Sequence, residues 1–195
     1  MLKLAAESRR TRAMRAQLKK TVVLVGMMGA GKSAVGKALA GLLEVPFRDS
    51  DAAIEEAANR SIAEIFERDG EPFFRAKESQ VIDRLLEAPP SVLSTGGGAF
   101  MSNANQRMIS AKGISVWLDA DMPLLWSRVR HKDSRPLLRT ADPRGTLQKL
   151  YDARVPVYAL ADLSVRARSR YSVEDMAREV FDSLLTRPDV LETGK

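Results

Sequence analysis

Gly26-Met27-Met28-Gly29-Ala30-Gly31-Lys32-Ser33 constrains this chain more than any other stretch, because it fits G-x-x-x-x-G-K-[ST] and joins two segments of different periodicity. Before it runs Thr21-Val22-Val23-Leu24-Val25, a continuous apolar run that suits a strand buried on both faces. After it, Val35, Leu39, Leu42 and Leu43 recur at helical spacing. Strand, glycine loop and helix in that order make a cradle for phosphate. Glycines allow the positive φ that turns backbone N–H groups inward, and the helix N-terminus adds its partial positive charge. Lys32 can then reach the β- and γ-phosphate oxygens, and the Ser33 hydroxyl is a ligand for Mg²⁺. A glycine turn with an incidental lysine would not need this context, so the chain is expected to bind a nucleoside triphosphate.

The rest of the chain repeats the alternation. Val45-Pro46-Phe47 reads as a second strand delivering Asp49, residues 91–98 read as a strand followed by a turn, and further strands are expected at 113–121 and 163–167. Helices are expected at 52–58, 61–68, 71–86, 122–130, 146–160 and 172–185, with a capping box at Ser61/Glu64 and a cap at Ser172. Strands alternating with helices predict an α/β fold of three layers, a five-stranded parallel sheet with helices on both faces. No repeat and no second core is visible, so one domain over 21–186 is expected, and residues 187–195 read as a frayed tail. The Arg-, Pro- and Asp-rich stretch 131–145 reads as a mobile lid.

The net charge of +6 belongs to one end of the chain. Residues 1–20 carry seven Lys/Arg against the single acid Glu7, and the remaining 175 residues hold 24 basic and 24 acidic side chains. A neutral body gives no reason to expect nucleic acid as a partner. The arm itself is either a solvated extension, including a few helical turns, or an organelle-targeting segment. There is no cysteine, which excludes a disulfide scaffold, a thiolate metal site and a cysteine nucleophile. No apolar run approaches the ~20 residues of a membrane span. The expectation is a soluble cytoplasmic protein without a membrane partner, monomeric by default because no apolar stripe demands a second copy.

Several residues are candidates for the second substrate. Asp49-Ser50-Asp51 follows a strand, where one carboxylate could serve a metal's water shell and the other a hydroxyl; alternatively Asp51 merely caps the next helix. Gly96-Gly97-Gly98 either lets a ligand approach backbone N–H groups or is a plain turn. Arg75 on its helix has no role by itself. Arg128, Arg130, Lys132, Arg135, Arg139 and Arg144 form a run that is either solvated or contains an arginine able to close over a γ-phosphate. Arg154 stands near a helix end, and His131, the one histidine, is read as a bystander.

Taken together, the phosphate loop, D-S-D at 49–51, D-G-E-P-x-F-R at 69–75, S-T-G-G-G-A at 94–99, R-P-L-L at 135–138 and A-R-x-P-x-Y at 153–158 resemble the shikimate kinase family in order and spacing. The resemblance spans residues 22 to about 185 and includes Ser94 where other phosphate-loop proteins carry an aspartate. It implies a nucleoside monophosphate kinase-like fold and ATP-dependent phosphorylation of the 3-hydroxyl of shikimate, on the route to chorismate and the aromatic amino acids. It further implies that Gly29, Ala30, Gly31, Lys32, Ser33 and Ala34 hold the ATP phosphates, with Arg128 and Arg170 beside the adenine. Ser33 and Asp49 would hold Mg²⁺; Arg75, Gly97 and Arg154 would bind shikimate; Asp51 would orient its hydroxyl or act as base; Arg135 would be the lid arginine. Two rival readings are another small phosphate-loop kinase, acting on gluconate or a nucleotide, and a non-catalytic nucleotide-binding module.

Overall fold

The structure, a computed structural model, describes residues 16–130, 136–138 and 140–194. The lid residue Arg135, His131 and the first fifteen residues of the basic arm lie outside the described residues. The chain folds as β1 (Ala16–Leu18), β2 (Thr21–Val25), α1 (Lys32–Leu43), β3 (Phe47–Asp49), α2 (Ser50–Ala58), α3 (Ile62–Glu87), β4 (Val92–Ser94), α4 (Asn103–Lys112), β5 (Gly113–Asp119), α5 (Met122–Val129), α6 (Pro143–Tyr158), β6 (Leu163–Arg166), α7 (Val173–Leu184) and β7 (Leu191–Thr193).

Strands β3–β4–β2–β5–β6, in that order, form one parallel sheet flanked by helices. β2 lies at its centre, and all five of its residues are buried, which is why its run is apolar without alternation. Because the strands are parallel, β2, β3 and β4 end at the same edge of the sheet. Leu24 is level with Ser94, and Ser94 with Asp49. That carboxyl edge is where ligands bind in open α/β sheets. Among the described residues no helix is long and apolar enough to cross a membrane.

Three local readings change. The second strand is Phe47–Asp49, so Asp49 is its last residue and the helix begins at Ser50. The expected helices 61–68 and 71–86 run together as α3 but are separated by Gly70 at φ 80°, ψ 169°, a conformation open to glycine. Pro72 then sits in the first turn of the second half, where its missing N–H costs little. Helix α4 was not anticipated. Asn, Gln, Arg, Ser and Lys interrupt its few apolar residues, and only Asn105 and Ile109 are buried, so it carries almost no apolar period.

The chain end is also different from the frayed tail expected at 187–195. β7 pairs antiparallel with β1, with Leu18 opposite Leu191, and Val190 and Leu191 are buried. Lys20 reaches Asp189 at 3.1 Å and Lys19 reaches Glu192 at 2.9 Å. The last residues of the basic arm are therefore strand, tied into the body by a segment distant in sequence.

Candidate active site

The loop between β2 and α1 has the geometry its letters imply. Gly29 and Gly31 adopt φ of 84° and 97°, where a side chain would be strained. Gly31 precedes α1 with no side-chain cap, and the first turn holds no acidic residue. The first N–H groups of the helix are thus left for an anion. Lys32 folds over the loop, donating to the carbonyls of Gly26 at 2.8 Å and Met27 at 3.1 Å. Arg128 of α5 donates to the carbonyls of Gly29 and Ala30 at 3.2 and 3.3 Å, so it braces the loop as well as lining the space beside it.

A cleft of about 590 Å³ opens here, lined by residues 28–35 with Asp49, Asp51, Ser94, Gly97 and Arg128. Its far wall is Tyr171, Ser172, Val173 and Met176. Arg170, expected beside the adenine, is exposed and stacks over the Tyr171 ring at 5.9 Å; Tyr171 is the residue that reaches the cleft. Ser33 Oγ donates to Asp49 Oδ2 at 2.9 Å and lies 3.2 Å from Ser94 Oγ. Three oxygen-bearing side chains at one strand edge are the donor type that suits Mg²⁺, which keeps most of its ligands as water and phosphate. The helix-capping role weighed for Asp51 falls to Asp49, whose side chain accepts from the N–H groups of Asp51 and Ala52. Asp51 is released from capping.

The glycine triplet organises the other end of the site. An added Cβ on Gly96 would lie 2.7 Å from Asp51 Oδ1 and 3.1 Å from Glu78 Oε1. One on Gly97 would meet an Arg154 guanidinium nitrogen at 3.5 Å, and one on Gly98 would stand 2.6 Å from two guanidinium nitrogens of Arg75. At Gly96 and Gly98 a charged side chain occupies the space a Cβ would need, while at Gly97 a Cβ would reach ordinary contact with Arg154. Asp51, Arg75 and Arg154, which come from α2, α3 and α6, therefore converge on one turn.

Two further residues set this geometry. Glu78, buried on α3, accepts from Arg75 at 2.8 Å, while exposed Glu71 takes its other edge at 3.0 Å. Sequence reasoning passed over Glu78; the sole signal was its i+3 spacing from Arg75, common on solvated helices. Tyr158, fully buried, donates its hydroxyl to the carbonyl of Gly97, which also accepts from Arg154 at 3.4 Å, and its ring stacks on Trp117. Burial pushes the Tyr158 hydroxyl up to about 12, so it stays a donor.

The electrostatics distinguish the two acids from ordinary surface carboxylates. Asp51 is raised, first by burial and then by the neighbouring Asp49, with Lys32 pulling the other way. Its Oδ1 is buried without a hydrogen-bond partner among the described residues, as is Glu78 Oε1. Burial likewise raises Glu78, against the pull of Arg75. An unpartnered carboxylate oxygen beside a glycine, between a phosphate cradle and two guanidinium groups, is an acceptor waiting for a donor such as a hydroxyl.

The profile of the shikimate kinase family matches residues 28–185. Shikimate kinase from Ruegeria pomeroyi is 67% identical over 177 residues, covering 91% of each chain, and that from Cereibacter sphaeroides is 63% identical over the whole of both. A solved shikimate kinase from Acinetobacter baumannii, in complex with shikimate, superposes with a TM-score of 0.80 at 35% identity, covering 86% of this chain and 93% of the other. With the profile spanning most of the sheet, cleft and glycine turn, this chain belongs to the shikimate kinase family.

Proposed function

We propose that this chain transfers the γ-phosphoryl group of ATP to the 3-hydroxyl of shikimate, giving 3-phosphoshikimate and ADP. The observation that carries this reading is the convergence on Gly96–Gly98: the turn that borders the phosphate cleft has Asp51, Arg154 and Arg75 against its three successive glycines. ATP would lie along residues 29–34 with its adenine between Arg128 and the Tyr171 wall. Shikimate would place its carboxylate between the forks of Arg75 and Arg154, an arrangement suited to planar guanidinium groups. Its 3-hydroxyl would then donate to Asp51. The hydroxyl oxygen attacks the γ-phosphorus, the bond to the bridging β,γ-oxygen breaks, and the hydroxyl proton leaves toward Asp51 or the phosphate product.

Phosphoryl transfer has a loose transition state, so alignment and positive charge do most of the catalysis. Lys32 supplies charge from the loop, and Arg135 is assigned the same role from the lid on the family resemblance. Ser33 and Asp49 would hold Mg²⁺, which when bound neutralises charge across the β- and γ-phosphates. A monomer is the working unit in this scheme.

An ADP-release assay tests the reading against its rivals. Shikimate should accelerate ADP release far above the rate with ATP alone, whereas gluconate and AMP should not; acceleration by either of those instead would overturn it. Arg154→Ala removes one arm of the carboxylate clamp. It should raise KM for shikimate by about 10- to 100-fold with a smaller change in kcat, the size of a lost charged hydrogen bond. An unchanged KM would make Arg154 structural. Gly98→Ala puts a methyl where Arg75 stands, at 2.6 Å, and should also raise KM for shikimate while leaving KM for ATP within about twofold.

A further inference from the structure

A second cavity, of about 540 Å³, opens among α2 and the two halves of α3, away from the phosphate cleft. Its floor is apolar and closed, with Ile54 2% exposed, Ile65 3% and Val81 9%. Phe73, 44% exposed, stands on its wall. The rim is cationic: Arg60, Arg68, Lys77 and Arg84 surround it against one carboxylate, Asp69.

This charge is sorted, not scattered. Residues 50–87 contain ten acidic and five basic side chains, a net negative segment. Four of the five bases nevertheless collect at this cavity, and the fifth is Arg75 of the clamp. Arg68 is paired with Asp69 at 3.4 Å, while Arg60, Lys77 and Arg84 make no ion pair among the described residues. Lys77 lies 5.5 Å from the centre of the Phe73 ring, so the aromatic wall is itself under a cation. A pocket of this size with an apolar floor and surplus positive charge selects a hydrocarbon body carrying an anionic group.

The floor is also connected to the substrate end of the molecule. Ile54, Ile65 and Val81 pack with Phe74 in one cluster, and the Arg75 guanidinium lies 5.1 Å from the Phe74 ring centre. Ile54 follows Asp51 by three residues on α2, one helical turn away. We propose that this cavity binds an amphipathic organic carboxylate, one or two fused carbocyclic rings with a single carboxylate, and that its occupancy alters the affinity of the Arg75 clamp for shikimate. The second half of this statement rests on the function proposed above; the binding itself does not.

The test uses 2-naphthoate as probe on the full chain with the substrate cleft filled by ADP and shikimate. Methyl NMR should show saturable shifts at Ile54, Ile65 and Val81. The double variant Arg60→Glu/Arg84→Glu, altered at two exposed positions, should bind at least about tenfold more weakly. Neutral 2-naphthol should bind far less well than the carboxylate. In steady-state assays, saturating 2-naphthoate should move KM for shikimate at least about twofold in the parent but not in the double variant, whose kinetics without probe should match the parent's. Absent shifts, an unchanged affinity in the variant, or equal binding of 2-naphthol would overturn the site. Binding with no change in KM would overturn the coupling. A parent that does not turn over shikimate would instead contradict the proposed function, and the NMR titration would still decide the site.

Discussion

Lys32→Met should lower phosphoryl transfer by about 10³-fold or more while leaving the circular dichroism spectrum and melting temperature close to the parent's. The ammonium is the positive charge that the loop brings to the β- and γ-phosphates, and a preorganised charge of this type accounts for several kcal/mol of barrier. Methionine keeps the length and most of the stem, so the packing of the loop against α5 survives. The bonds lost to the Gly26 and Met27 carbonyls in the resting protein are ones that water can replace at a partly exposed site. Steady-state kinetics at saturating ATP and shikimate measure the effect. Turnover within tenfold of the parent would mean that the loop's backbone and Mg²⁺ suffice, and that the lysine only closes the loop.

Asp51→Asn should produce two changes of opposite sign. The rate falls, by about 10²- to 10⁴-fold if the carboxylate takes the hydroxyl proton and by less if it only orients the hydroxyl. The stability at neutral pH rises. Burial and Asp49 hold the Asp51 carboxyl above its ordinary value of 3.8, so the folded protein retains a proton that the unfolded chain has already released. Stability from this group is therefore full below 3.8, declines as the pH climbs through the folded value, and stays reduced at neutrality, where a charged and unpartnered oxygen remains buried. Asparagine removes that charge. The variant should melt above the parent at neutral pH, and the gap should close as the pH is lowered toward 3.8. Kinetics together with thermal melts across this range check both halves. A variant that keeps its turnover, or melts below the parent at neutral pH, would contradict the account of Asp51 as a strained acceptor.

What the sequence made legible follows from how local each signal is. The phosphate loop announces itself because its chemistry is held in eight consecutive residues flanked by a strand and a helix. The parallel sheet was readable from the largely apolar β2 and β5, whose burial on both faces leaves no alternation. The glycine triplet showed that something approaches closely but not what, since its neighbours Asp51, Glu78, Arg75 and Arg154 come from three separate helices. For the same reason Arg75 and Arg154 acquired roles solely through the family resemblance; a single helix arginine carries no local signature. Glu78 escaped notice because burial, not type or spacing, sets it apart. β7 escaped because its partner β1 lies at the other end of the chain, and an apolar pair such as Val190-Leu191 near a terminus does not reveal a partner so distant.

The central claim is that a nucleotide cradle and a carboxylate clamp meet at the Asp51 carboxylate, so that one hydroxyl of a cyclic acid faces the γ-phosphate. Phosphorus and proton NMR of the products formed from ATP and shikimate tests this most directly. The account predicts ADP and a single phosphomonoester whose coupling places the phosphate on the 3-oxygen. A phosphate on another hydroxyl, or inorganic phosphate as the main product, would contradict it.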